Sequence, residues 1–202
     1  MKAFTKHTGL VAAMDRANVD TDQIIPKQFL KAVVRSGLGK GLFFDWRFNS
    51  DGSENRDFIL NKPRYKSGSV LVARQNFGSG SSREHAVWAL MDYGFQAVVS
   101  SRFADIFRNN CTKQGLLPVQ VTEALDRALL DAVMQDPSLE ITIDVARGTI
   151  EAPAAGLSGT FPLDEFTRQR LLNGWDDIGL SLRWADEITA FERRRPAFLP
   201  SA

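Results

Sequence analysis

The chain is short of the side chains that soft metals need. It holds one cysteine, Cys111, and two histidines, His7 and His85. A single thiol closes no intrachain disulfide, which agrees with a reducing compartment. A Cys/His zinc site or a protein-ligated iron–sulfur cluster needs more ligands than these, so any soft metal has to come from elsewhere. An excess of one charge is missing too. Twenty-five Lys and Arg stand against 24 Asp and Glu, a formal net charge of +1, so nothing electrostatic points to nucleic acid or to a membrane surface. No apolar run is long enough to span a bilayer, and MKAFTKHTGLVAAMDRANVD, at the start, lacks the apolar core and cleavage pattern of a secretory signal. The cytoplasm is the expected compartment.

What remains is an ordinary globular composition, 44% hydrophobic and 24% charged over 202 residues, enough for one domain with a real core. TGLVAAM reads as a strand, NVDTD as a polar turn cluster, and a short helix is expected from about Pro26. Residues 33–58 mix glycine, aromatics and charge without a period and read as a long irregular loop of the kind that often carries function. SVLVAR and QAVVSS are buried strands, and between them AVWALMDYG places Ala86, Ala89, Leu90 and Tyr93 at helical spacing and stops at Gly94. Strand, glycine-rich loop, helix and strand make a βαβ unit, hence an α/β fold with a parallel pair.

GLLPVQV supplies a further strand after the polar segment FADIFRNNCTKQ. Leu125, Leu129 and Val133 define an amphipathic helix with Thr122 as a possible cap, and EITIDVARGTIEA a hairpin with Arg147 and Gly148 near its turn. LDEFTRQRLLNG reads as a helix ended by Gly174, and DEITAFERRRP as a last one stopped by Pro196. This half carries pattern but little chemistry, so packing and partner contact are its expected roles.

Most of the polar chemistry sits in one stretch, NFGSGSSREHAVWALMDYG, residues 76–94. Gly78 and Gly80 permit positive φ and close approach. Ser81, Ser82, Arg83 and Glu84 fall where the helix begins, so free N–H groups and the positive end of the helix dipole meet a guanidinium able to grip a carboxylate through two parallel bonds. Ser81 to Glu84 also fits the capping box S-x-x-E, which requires no ligand; both readings stay open. Three familiar motifs fail: a dinucleotide fingerprint needs glycine where Arg83 stands, a Walker loop needs G-K-[ST], and a nucleophile elbow needs serine where Gly80 stands. His85 is too near in sequence to be a convincing triad base, and a packed or hydrogen-bonded role is expected of it.

NFGSGSSREHAVWAL, taken with NVDTDQIIPKQFLK (residues 18–31), GLFFDWRF (41–48), FADIFRNN (103–110) and QGLLPV (114–119), resembles the small subunits of 3-isopropylmalate dehydratase, also called isopropylmalate isomerase, in the aconitase superfamily. The likeness runs on through NGWDDIGLSL to the PAF near the C-terminus. It implies a swivelling β/β/α domain like the fourth domain of aconitase, here a separate polypeptide: residues 1–202 as a single domain, with a helical extension from about residue 163. It further implies a hydro-lyase of leucine biosynthesis that interconverts 2-isopropylmalate and 3-isopropylmalate through isopropylmaleate. The enzyme is active only with a large-subunit partner, in a heterodimer or higher assembly, and that partner carries a [4Fe-4S] cluster. No metal is expected on this chain, and Cys111 is expected to be inert.

Carried over position by position, the resemblance makes Ser81 the base that takes a proton from carbon. Ser82 and the adjoining backbone help to hold the charge, Arg83 binds a substrate carboxylate, and Asp22 is an acidic residue near the serine that helps to organise it. Within the long loop Arg35 is the candidate second carboxylate contact, and Val33, Val34 and Leu38 are candidates to meet the isopropyl group of a dicarboxylic hydroxy acid. The whole loop is a candidate lid, expected to be mobile in the isolated subunit. One departure is Ser79, where many members carry cysteine. The alternatives are a sister hydro-lyase acting on homoaconitate, citraconate or dimethylmalate, and an orphan carboxylate-binding module.

Overall fold

The computed structural model describes residues 1–195. Its strands are β1 (Lys6–Met14), β2 (Val70–Ala73), β3 (Ala97–Ser100), β4 (Leu117–Gln120), β5 (Glu140–Asp144), β6 (Thr149–Ala152) and β7 (Leu157–Thr160). The helices are α1 (Thr21–Ile24), α2 (Phe44–Arg47), α3 (Glu84–Tyr93), α4 (Asp105–Gln114), α5 (Glu123–Gln135), α6 (Glu165–Asn173), α7 (Asp177–Leu182) and α8 (Ala185–Glu192). One mixed sheet runs in the order β4-β3-β2-β1-β5-β6-β7.

The sheet has two halves because β1 has two halves. Val11 to Met14 pair in parallel with β2, while Lys6 to Leu10 pair antiparallel with β5. Burial follows the same division: the first part of β1 is only partly buried and the second is buried throughout. β2 and β3, wholly buried at every position, are the continuous apolar runs that a parallel sheet covered on both faces demands. The expected βαβ unit is β2-α3-β3, with a second in β3-α4-β4. The hairpin is β5-β6, Thr122 caps α5 by accepting from the Leu125 N–H, and Gly174 closes α6 in the left-handed region.

Three expectations need correction. The short helix does not start at Pro26; it is α1, inside the polar cluster, where Asp20 caps the Gln23 N–H and the Gln23 side chain accepts from the Asp20 N–H. Pro26 instead precedes a single 3₁₀ turn, Lys27–Phe29. FADIFRNNCTKQ contains helix α4, whose only buried residues are Phe107 and Cys111, too small an apolar stripe to read against so many polar neighbours. Residues 33–58 are not one irregular loop: from Leu38 the chain forms a 3₁₀ turn and α2, and Leu38, Leu42, Phe43 and Phe58 are buried in the core. Exposed residues gather in two stretches, 31–37 (Ala32 aside) and 49–57 (Asn55 aside), with the buried Leu38, Leu42 and Phe43 between them, so the region as a whole is not a free lid. α8 ends at Glu192, and the expected stop at Pro196 lies outside the described residues.

Candidate active site

Parallel β1, β2 and β3 end side by side, and the loops that leave them continue to pair. Asp20 bridges Ser79 and Phe77 bridges Phe103, both in parallel sense. The Gly78 and Ser79 N–H groups donate to the Val19 carbonyl, the Thr21 N–H donates to the Ser79 carbonyl at 2.9 Å, and the Thr21 hydroxyl donates to the Ser81 carbonyl at 2.8 Å. Asn18 and Asn76 both take positive φ, and the Asn76 amide donates to the Asn18 side-chain oxygen at 2.9 Å. The junction is therefore part of a hydrogen-bonded ladder at the carboxyl ends of the strands, where open α/β sheets hold their ligands.

The two glycines serve different ends. A Cβ on Gly78 would lie 2.1 Å from Phe107 Cγ, so the residue is small because α4 packs against it. Gly80 has its nearest neighbour at 3.5 Å but sits at φ +88°, so the backbone, not space, demands glycine. Beyond it Ser81 and Ser82 are exposed. The capping box does not form: α3 starts at Glu84, Arg83 is its N-cap residue with no side-chain cap bond, and Glu84 instead accepts from Gln114 Nε2 at 3.1 Å. Among the described residues the Ser81 hydroxyl has no hydrogen-bond partner, and that of Ser82 has only Asn110 Nδ2, at 3.5 Å the limit of a bond. Capping accordingly offers no account of either serine.

Arg83 is brought to the same place, with its side chain 10% exposed. Its Nη1 donates to Asp22 Oδ1 at 2.5 Å and to the Ile25 carbonyl at 3.4 Å. The resemblance sets Asp22 beside Ser81; its carboxylate pairs with the Arg83 guanidinium and so orients that side chain. Nε and Nη2 make no bond among the described residues, which leaves the other edge of the fork for a ligand. Arg35 does not join Arg83 at the serines: its guanidinium lies over the Trp88 ring of α3, 5.3 Å from the centroid. Val33 and Val34 are 93% and 59% exposed, free to meet another surface. Leu38 is corrected outright, since at 3% exposure it belongs to the core and has no face left for a substrate.

Sequence reasoning missed the residues that hold these groups still. Thr21 sits in the quoted NVDTD motif, yet nothing in its type foretold a bond to the Ser81 carbonyl. His85, expected to be packed or hydrogen-bonded, pairs through Nε2 with the Ala32 carbonyl at 3.0 Å and so ties α3 to the exposed segment. Cys111 is fully buried, which pushes its thiol well above the usual range and leaves it inert. Among the described residues no group of three His, Cys, Asp or Glu could hold a metal ion, and no helix is long and apolar enough to cross a membrane.

The family model of the aconitase C-terminal domain matches residues 1–124, and that of the C-terminal domain of 3-isopropylmalate dehydratase small subunits matches residues 177–200. A 3-isopropylmalate dehydratase small subunit of Frankia alni is 54% identical over 202 residues, all of both chains. The chain belongs to this small-subunit family. A second member, from Brevibacillus brevis, is 52% identical over 96% of this chain and 100% of its own, and one from Brucella canis is 52% identical over the full length of both. A crystal structure of 3-isopropylmalate dehydratase from Methanocaldococcus jannaschii superposes with a TM-score of 0.66 over 92% of this chain and 99% of that one; at 24% identity it bears on the fold alone. The mixed sheet is accordingly that of an aconitase C-terminal-like domain.

Proposed function

We propose that this chain is the half of a 3-isopropylmalate dehydratase that supplies the base and a carboxylate grip, interconverting 2-isopropylmalate and 3-isopropylmalate through isopropylmaleate in the cytoplasm. The observation that carries the reading is the free, exposed Ser81 hydroxyl on a loop fixed from three sides, with Arg83 beside it. Removing a C–H proton next to a carboxylate needs a strong base and fixed positive charge where negative charge gathers. Ser81 takes that proton. The start of α3 and the Ser82 hydroxyl stabilise the charge at Ser81, and losing one such oriented donor typically costs on the order of 3 kcal/mol of transition-state stabilisation. Arg83, held at Nη1 by Asp22, offers its free edge to one substrate carboxylate. Arg35 would take the second and Val33 and Val34 the isopropyl group, once the exposed 31–37 segment is brought towards the serines.

The residues of this chain do not fit an iron–sulfur cluster, since its one thiol is buried and alone. The family's [4Fe-4S] cluster is therefore assigned to the partner large subunit, and no step on this chain runs through it. Residues 1–202 are taken as a single domain with a helical extension from about residue 163. The test is isopropylmaleate hydration by this chain alone, by a cluster-loaded large subunit alone and by the mixture. Activity in the mixture only, abolished by Ser81→Ala, is the expected result. An active Ser81→Ala mixture would remove the serine from the mechanism, and a mixture that hydrates citraconate but not isopropylmaleate would change the substrate.

A further inference from the structure

Helices α7 and α8 bury nothing. No residue of either is buried, while Ile178, Leu182, Trp184, Ile188 and Phe191 are 72%, 63%, 61%, 40% and 64% exposed. Ile178 and Leu182 share one side of α7 at i, i+4 spacing, and Ile188 and Phe191 share one side of α8 at i, i+3. Helices of six and eight residues are too short to be stable in water through their own hydrogen bonds. Five large apolar side chains left bare on one short segment mark a surface made to be covered.

The root of this segment, unlike its face, is fixed. The Met1 ammonium donates to the Gly174 carbonyl at 2.9 Å and lies 3.7 Å from Asp176, while buried Arg170 reaches the Trp175 carbonyl at 3.1 Å and Asp177 at 2.7 Å. These contacts fix the start of α7, where Asp176, Asp177 and Ile178 line a cleft of about 280 Å³ together with Arg35 and with Glu84, the first residue of α3. A partner seated on α7 also lies beside the start of α3.

We propose that α7 and α8 form the docking arm for the large subunit, with Trp184 and Leu182 as its anchors. This rests on the reading of the chain as a split dehydratase. The aconitase C-terminal domain model stops at residue 124, whereas residues 177–200 match a model particular to the small subunits. The arm thus occurs in chains whose domain is a separate polypeptide and must be held to its partner by contact alone. A second copy of this chain is the poorer occupant. It would bring another base-bearing half and nothing that the site lacks.

The decisive variant is Leu182→Ala/Trp184→Ala in the full chain. Neither residue is buried in the free protein, so its circular dichroism and Tm should match wild type. Titrated with the purified, cluster-loaded large subunit, the variant should show an apparent Kd about 100-fold or more above wild type, with kcat recovered at saturating partner. An unchanged Kd overturns the proposal. So does a wild-type chain that sediments as a dimer and becomes a monomer on this substitution while its affinity for the large subunit is kept, because the occupant is then a second copy. Binding is read separately from turnover: Ser81→Ala should bind as wild type does, and a tight complex of the wild-type chain that hydrates nothing would sink the dehydratase reading while leaving the docking arm in place.

Discussion

Asp126 gives a test of the energetics away from the serines. It lies in the first turn of α5, 3% exposed, with Oδ1 unpartnered among the described residues. Burial raises its carboxyl from the ordinary 3.8 to about 6, against the opposing pull of the neighbouring Ser101 and of the charge of Arg74. A carboxyl with a raised folded-state value binds its proton more tightly when folded, so stability falls as pH climbs from near 4 to above 6. Linkage sets a ceiling of about 3 kcal/mol on the loss, and water reaching the group reduces it to about 1–2 kcal/mol. Asp126→Asn keeps the size and removes the ionisation. Urea unfolding should find the two proteins within about 0.5 kcal/mol of each other near pH 4, and the variant more stable by about 1–2 kcal/mol at pH 7.5, with a Tm higher by about 2–8 °C. A gap that stays constant with pH, or a wild type that gains on the variant as pH rises, would refute the account of Asp126 as a desolvated acid.

Other substitutions separate space, backbone and chemistry. Gly78→Ala forces a methyl group to 2.1 Å from Phe107 and should cost more than about 2 kcal/mol in urea unfolding, whereas Gly80→Ala has room and should cost about 1 kcal/mol from φ alone. Leu38→Ala, in the core, should lose about 2–5 kcal/mol of stability. Val33→Ala should leave unfolding within about 0.5 kcal/mol while lowering kcat/KM for isopropylmalate about tenfold; steady-state kinetics of the two-subunit enzyme decide it. Ser79→Cys should keep turnover within a few-fold, because only the Ser79 backbone is engaged, to Val19 and Thr21.

The parts of the fold that could be read from sequence are those where one local rule acts alone. β2 and β3 are unbroken apolar runs between turn residues, and α5 has both its cap and its stripe. α4 is hidden because its two inward residues, Phe107 and Cys111, are outnumbered by polar ones that face solvent or the serine loop. The 33–58 region misleads in the opposite way: its aromatics break any period, yet Phe43 and Phe58 are core residues, tilted against each other with centroids 6.1 Å apart. At the site, residue types gave the chemistry and the resemblance gave the roles, but neither gave the partners. That Asp22 faces Arg83 follows only from the pairing of two loops some 60 residues apart, a fact of tertiary structure.

That pairing also explains how the serines can sit exposed without being loose. A serine on a free loop would lose its orientation, and one buried in a finished pocket could not meet a substrate held by another polypeptide. Here the backbone is over-determined: the Ser79 and Ser81 carbonyls are both taken by Thr21, Gly78 is seated against Phe107, and Arg83 is pinned through one nitrogen. The ladder fixes position and leaves the hydroxyls free, so the unspent hydrogen-bonding capacity all points out of the protein. On the proposal above, the bare faces of α7 and α8 call for the same second surface, since both would belong to an interior completed only when two chains close over it.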